Sequence, residues 1–517
     1  MFTKPNKFFL FYLGALSVIG GVVIYLATSR FGPGVSTDSA MILSTGDNLL
    51  KGRGLIDYRA LPLTQFPPLY SMILAFGTLL IGRDVFVVGW ILSILVFGAL
   101  IWFSGICFFR AFADEPILAY LGSFVIFSST SLIQISSNIA SDPLFLLMLI
   151  FFLMSMSAYL ETRNPRYLAL AALLTVASCF QRYAGLSLVL AGGLVVAYVN
   201  RNNFKDAIIR AALFVLVTAI PIFLWGYLHN YLANGTVFGA RLPAVASLNL
   251  VTGIEKVLYW FVPYRIISAV GPLYLLGAIG CVLLIGIFAT NANEFLHKIL
   301  SPQIVPNIAF LLVYSGVLTF DISYYELKGI NTDRVHIIAL PSLLMVLLSV
   351  VDRLIKAAKG KTGKLPVYLT LIALFVAWSV YPLSKTNEYV RRSMQSGDVS
   401  SYNSINKSYL RDSPFAQYVA HLDIVNMKVY SNGEDSAWLL LRTQIEPIPL
   451  IQSGDRMAYL EQHFAQWPEP GNDGYLIWFN SEAYKGYLAT PQELSSIASV
   501  DELYSDSSGS VYVVKPH

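Results

Sequence analysis

For most of its length the chain alternates long apolar runs with short polar breaks, and then it changes rhythm. Apolar runs at 8–28, 85–109, 116–135, 143–160, 167–181, 184–200, 207–229, 268–290, 304–320, 336–351 and 366–383 approach the roughly 20 residues a helix needs to cross a bilayer. They predict about eleven transmembrane helices. The run 69–81 is too short to cross and reads as a half-inserted or surface helix. The first run is long for a secretory signal and lacks a convincing cleavage site, so it reads as an uncleaved first span. No convincing repeat relates the long spans, which argues mildly against transporters built from duplicated halves.

Beyond 383 the pattern shortens. Strand-like stretches at 427–431, 474–479 and 511–514 alternate with helix-like stretches at 436–443 and 456–466. That alternation predicts a small α/β domain outside the membrane. The expected fold class is therefore an α-helical polytopic membrane protein, 1–383, followed by a small C-terminal extracytoplasmic α/β domain, 384–517.

Composition agrees with the pattern: 56% of the 517 residues are hydrophobic and 13% are charged. The net charge of +4 is small and offers nothing to nucleic acid. The placement of the cations says more. With a cytoplasmic N-terminus and eleven spans, the breaks at 110–116, 161–166, 201–206, 291–303 and 352–364 are cytoplasmic. The last carries Arg353, Lys356, Lys359, Lys361 and Lys364, and Lys4 and Lys7 lie on the same side, as the positive-inside rule requires. A multi-pass protein of the plasma (inner) membrane is expected, with its C-terminal domain outside. Cys107, Cys179 and Cys281 fall in apolar runs and read as small core residues rather than disulfides or ligands.

The first outer loop, 29–68, is long and polar for so apolar a chain, and loops of that length are usually functional or disordered. Helical spacing over 39–50 argues for order. Thr37 or Asp38 is the expected cap, and Gly52 and Gly54 stop the helix. Asp38 thus sits at a helix start beside the membrane, where the helix N-terminus favours a negative charge. A base at a membrane surface fits that position; a plain capping aspartate is the competing reading.

The order of span, Asp38-Ser39-Ala40, short helix, Gly52-Arg53-Gly54, Pro67-Pro68-Leu69-Tyr70 and apolar helix resembles the GT-C-fold glycosyltransferases, including protein O-mannosyltransferases and lipid A aminoarabinose transferases. The resemblance covers roughly residues 8–350. It implies a glycosyltransferase in which Asp38 is the catalytic aspartate of the first outer loop. It also implies a polyprenyl-phosphate sugar as donor and a lipid, glycan or protein as acceptor, with inversion at the transferred sugar. Many of these transferases follow the aspartate with Glu or Asp; Ser39 stands there in this chain, which weakens the case for a bound divalent metal.

The same resemblance singles out further residues. Asp142, before Pro143, opens the fourth span and would be a second active-site carboxylate, although Asp-Pro is also an ordinary helix start. Arg182 lies in a tight outer turn where a cation runs against the positive-inside trend. The aminoarabinose transferases place a phosphate-binding lysine at the matching turn, and Arg offers a planar fork for the same task, with Tyr183 beside it. Snorkelling to lipid phosphates is the bland alternative. Arg334 is a second phosphate candidate. Phe66 occupies the place of a lysine that some of these transferases carry before the first-loop proline; Arg53 or Arg59 would have to substitute. A transporter or flippase of lipid-linked sugars is the rival function. It would need charges along a path through the bundle, whereas here the spans are nearly charge-free and the candidates lie on one face.

Overall fold

The computed structural model describes residues 5–239, 250–289, 300–324, 333–399, 408–451, 455–469, 471, 473–480 and 486–517. Tyr325 and most of the 291–303 break lie outside them. The chain divides into two compact units. One comprises the described parts of residues 1–27, Thr64–Tyr70 and Trp90–Arg391; the other comprises those of Thr28–Leu63, Ser71–Gly89 and Arg392–His517.

The first unit is helical. Its elements begin with α1 (Lys7–Thr28). After α2 (Thr37–Leu50) and α3 (Leu69–Ile81), which apart from Leu69–Tyr70 belong to the second unit, come α4 (Val85–Ala111), α5 (Pro116–Ser128), α6 (Thr130–Ser136), α7 (Asp142–Thr162), α8 (Pro165–Gln181), α9 (Leu186–Val199) and α10 (Phe204–Trp225). Helices at Pro272–Ala289, Val305–Tyr324, Leu340–Thr362 and Lys364–Ser396 complete the bundle. Among the described residues six helices are long and apolar enough to cross a membrane, seven if the α5–α6 pair is one span. The chain is a multi-pass membrane protein. The other apolar helices are shorter. Fourteen residues, as in α9, extend about 21 Å, less than the roughly 30 Å hydrocarbon core.

The run at 116–135 is not one straight helix. It breaks at Ser129 and bends by 51°. Ser128, Ser129, Thr130 and Ser131 stand in a row there, and such hydroxyls compete with the helix for backbone partners. Ser129 turns extended (ψ 104°) and caps α6 by accepting from the Leu132 amide at 3.4 Å. A second irregularity follows α10, where a π-turn runs from Gly226 to Tyr231. The three cysteines are free thiols.

The second unit joins the first loop to the tail. The cap of α2 is Ser36, not Thr37 or Asp38. Ser36 and Ser39 form a reciprocal capping box, so the helix starts one or two residues earlier than the spacing predicts. Thr37 instead donates from Oγ1 to Asp435 at 2.7 Å. The Ile445 amide donates to the Tyr58 carbonyl at 2.9 Å, and the Tyr58 ring stacks on Trp438. In the tail, β1 (Lys428–Ser431), β2 (Gly474–Phe479), β3 (Ala498–Ser505) and β4 (Gly509–Pro516) form one sheet in the order β1-β2-β4-β3. The first pair is parallel and the other two antiparallel. Leu460, Leu476, Leu494, Ile497 and Val514 fill its core. The predicted helices start at Glu434 and Arg456.

Candidate active site

Within the helical unit the structure gathers Asp142, Arg182 and Arg334. Asp142 begins α7 and is almost wholly buried, 2% exposed. Its Oδ2 lies 2.7 Å from Arg182 Nη1 and 2.9 Å from Arg334 Nε. Its Oδ1 is buried with no hydrogen-bond partner among the described residues. Two guanidiniums on one carboxylate leave the cluster formally one charge positive. Such an ion pair is tolerated in a low-dielectric setting only with good geometry and further hydrogen bonds.

Those hydrogen bonds come from the turns that present the charges. Ser141, the residue before α7, makes no side-chain cap bond. Its hydroxyl instead accepts from Arg182 Nη1 at 3.1 Å, and its carbonyl accepts from Gln181 Nε2 at 3.0 Å. Arg182 is the extended residue (φ −154°, ψ 145°) between α8 and a 3₁₀ turn at Tyr183–Gly185. That turn folds back hard on the end of α8: a Cβ on Gly185 would meet Cys179 N and Ser178 C at 2.5 Å, so only glycine fits without a shift. Arg334 sits on a short helix, Asp333–His336. Asp333 accepts from Ser131 Oγ at 2.5 Å, and the Val335 carbonyl accepts from the Tyr314 hydroxyl at 2.7 Å, which ties that helix to its neighbours.

Tyr183 points elsewhere. Its hydroxyl donates to the Thr64 carbonyl at 3.0 Å and accepts from Asn230 Nδ2 at 2.7 Å. Asn230 is fully buried in the π-turn, a distortion often found at functional sites. Asn234, of the Asn-Gly-Thr sequence, donates to Thr64 Oγ1 at 2.7 Å and accepts from Thr236. Tyr183, Asn230 and Asn234 therefore hold the chain just before Pro67-Pro68. Tyr70, two residues after Pro68, is buried, hydrogen-bonds Ser93 and feels the Asp142 charge.

The other candidates belong to the second unit. Asp38 is half-buried in the first turn of α2. Arg59 is engaged by a carboxylate: its Nη2 lies 2.5 Å from Oδ2 of the buried Asp57, and its Nε lies 3.0 Å from the same oxygen. The expectation that Arg59 substitutes for the missing first-loop lysine meets this competing partner. Among the described residues no group of three or more His, Cys, Asp or Glu side chains is placed to hold a metal ion. Ser141, Gln181 and Asn230 were not singled out in the sequence. Asn230, a polar residue at the end of a long apolar run, was the most visible signal.

No family model matches the sequence, and no curated protein does. Solved structures do match. ArnT from Cupriavidus metallidurans, in the apo state, superposes with a TM-score of 0.62 at 12% identity, covering 96% of this chain and 97% of ArnT. The form of that protein bound to undecaprenyl phosphate gives the same values. The chain has the GT-C fold. The mycobacterial arabinofuranosyltransferase AftD matches with a TM-score of 0.52 at 12% identity, covering 100% of this chain and 40% of AftD. The GT-C likeness extends over both units of the chain, tail included, and so reaches beyond residues 8–350.

Proposed function

We propose that this GT-C protein is a membrane glycosyltransferase that moves a sugar from a polyprenyl-phosphate carrier to an acceptor hydroxyl on the outer face of the membrane. The observation that carries the reading is the buried Asp142 with two arginines on one oxygen. A preformed, net-positive pair of guanidiniums suits a phosphate, which arginine forks bind well. The fold it shares with ArnT, a protein solved with undecaprenyl phosphate, supports the same ligand class. The finer topology in this reading is about eleven spans, with the N-terminus inside and the tail outside.

In the reaction, Asp38 takes the proton of the acceptor hydroxyl. The acceptor oxygen attacks the anomeric carbon, the bond from that carbon to the phosphate oxygen breaks, and polyprenyl phosphate leaves with the electron pair. Attack opposite the leaving group inverts the anomeric centre. Arg182 and Arg334 hold the phosphate and stabilise the charge that grows on it, a contribution that is often a large part of the rate. Asp142 holds the two guanidiniums in place. Tyr183 fixes the loop that leads into Pro67-Pro68.

The test is transfer by the purified chain in detergent, where there is no membrane to cross and flipping cannot substitute for chemistry. Asp38→Asn keeps the size of the side chain and leaves the Ser36 cap intact. Transfer should fall by at least about 10²-fold, the usual loss of a general base, with the unfolding temperature unchanged. Normal turnover by Asp38→Asn would remove this mechanism.

A further inference from the structure

The second unit has a shallow polar cleft of its own, where the last turn of α2 meets the end of the helix Glu434–Leu441. Asp47, Lys51, Arg53 and Asp57 line it from the first loop, and Trp438 and Arg442 from the tail. It is open to solvent and has room for one small charged group rather than a whole sugar ring. The carboxylates around it are engaged. Asp47 pairs with Lys51 at 2.6 Å, and Asp57 with Arg59 at 2.5 Å. Asp84, whose charge reaches Arg442 as that of Asp47 does, accepts the amides of Phe86 and Val87, each at 2.9 Å. Glu446, bonded to Gln444 at the rim, pairs with Lys428 at 3.1 Å.

Two guanidiniums remain, and among the described residues neither has a hydrogen-bond or ion-pair partner. Arg53 is exposed between Gly52 and Gly54, which are both left-handed and stand in open space. Arg442 is half-buried and also left-handed (φ 54°), at the position after a helix where glycine is usual. From there its guanidinium lies 4.7 Å from the centre of the Trp438 ring and 5.7 Å from that of Phe86. The charges along the two helices run in one sense. Asp38, Glu434 and Asp435 stand in their first turns, which the Thr37–Asp435 hydrogen bond joins. Lys51, Arg53 and Arg442 follow their ends. Cations there suit the helix dipoles, but a dipole does not require two unpaired guanidiniums on one cleft. Asp47, at the cleft, is about 14 Å along α2 from Asp38. An anionic acceptor is repelled at the Asp38 end and attracted at the Arg442 end, so it can lie only one way round. A saccharide chain supplies both the hydroxyl and a stiff spacing to the anion. An acyl chain would need apolar walls that the cleft lacks.

We propose that this cleft binds the acidic group of the acceptor, and that the acceptor is a glycan bearing a singly charged anion, a carboxylate or a phosphodiester, a few sugar units from the hydroxyl that receives the transferred sugar. Lys51, Arg53 and Arg442 against Asp47 and Asp57 leave the lining one charge positive, which matches a monoanion. The acceptor role rests on the reading of Asp38 as the base; the binding of the anion does not. Arg53 is thereby given to the acceptor rather than to the donor phosphate.

The test is calorimetric titration of the full chain, purified in detergent at low salt, with trisaccharides of one backbone that end in glucose, in glucuronate or in a glycerol phosphodiester. An acidic probe should bind about tenfold tighter than the neutral one, the effect of two partly exposed ion pairs. The tighter of the two acidic probes names the source of the anion. Arg53→Ser, at an exposed loop position, should cut the preference to about threefold. Adding Arg442→Met, which keeps an unbranched stem on Trp438, should abolish it; Arg53→Ser alone still reads the site if that second change loosens the fold. Asp38→Asn should keep the wild-type preference while losing transfer. Equal binding of all the probes by the wild type, or an undiminished preference in Arg53→Ser, would overturn the proposal. Normal transfer by Asp38→Asn beside an intact preference would overturn the acceptor assignment through the failure of the base, not of the cleft.

Discussion

At the scale of single residues, Arg182 is the sharpest case. A lone outer cation allowed two readings, a phosphate ligand or a side chain snorkelling to lipid. In the structure the guanidinium is 19% exposed and lies against Asp142 and Ser141. A snorkelling arginine would extend into the headgroups instead. Arg182→Ala should therefore weaken binding of a polyprenyl-phosphate sugar to the purified chain by about 10- to 100-fold, the loss of one charged hydrogen bond. Arg182→Lys keeps the charge without the fork and should fall between that variant and wild type. Wild-type affinity in Arg182→Ala, measured in detergent, would take Arg182 out of the site. The sequence made Asp142, Arg182 and Arg334 visible one by one, as charges at span ends. Their convergence was not legible, because Asp142 and Arg334 lie 192 positions apart and only packing joins them. Ser141 and Gln181 were illegible for a different reason: a serine before Asp-Pro looks like an ordinary cap.

At the scale of elements, the apolar runs located most helices, because burial in lipid leaves little room for other patterns. The misplacements have local causes. Ser36 took the cap of α2 because its hydroxyl pairs with Ser39, a box built without the usual Glu or Gln. β3 was not foreseen. Its burial alternates poorly, and Asp501 and Glu502 face solvent in its middle, so it lacks the period-two signal. The tail also rests on an ion pair that no pattern reveals. Arg456 reaches Glu493 with Nε at 2.5 Å and Nη2 at 2.9 Å, fastening the Arg456–His463 helix to the Thr490 turn. The hydrogen bond from Arg456, with help from Thr490, pulls the Glu493 pKa down to about 2 from its ordinary 4.5. A depressed carboxylate stabilises the fold fully above its unfolded pKa, and the contribution disappears as pH falls through the folded value. Protection of residues 456–463 against hydrogen exchange should thus exceed that of Glu493→Gln at neutral pH. The gap should close between about pH 4.5 and about pH 2, comparing the two full-length chains at each pH. A gap that persists at pH 2 would show that the pair contributes nothing to holding the helix.

At the scale of the whole molecule, the two ends of the helical unit differ in how they treat positive charge. α7 runs from Asp142 at one end to Thr162 at the other, where Arg163 and Arg166 follow, both exposed. Arg201 and Lys205, also exposed, stand at the start of α10, next to the C-terminal end of α9. At the opposite end Arg182 and Arg334 are both paired with Asp142, and a further cation there, Arg265, is exposed. Unpaired, solvated cations are what holds a segment on the cytoplasmic side, and a cation neutralised inside a site carries little of that bias. The proposed function requires that the Arg163 end face the cytoplasm and the arginine cluster face out, the side on which a sugar must come from a lipid carrier, and the exposed cations beside α7, α9 and α10 favour that orientation. If the Lys364–Ser396 helix crosses once more, the tail is outside as well. Single cysteines test this in sealed right-side-out vesicles. Ser507→Cys, exposed in the turn before β4, should react with a membrane-impermeant maleimide at once. Asn202→Cys, exposed between α9 and α10, should react only after the vesicles are opened. Cys179 is buried, whereas Cys107 is half-buried and Cys281 exposed, so a chain lacking both Cys107 and Cys281 is the background. The reverse labelling pattern would place the arginine cluster in the cytoplasm. A nucleotide sugar would then become an available donor, and the requirement for a polyprenyl carrier would lose its physical basis.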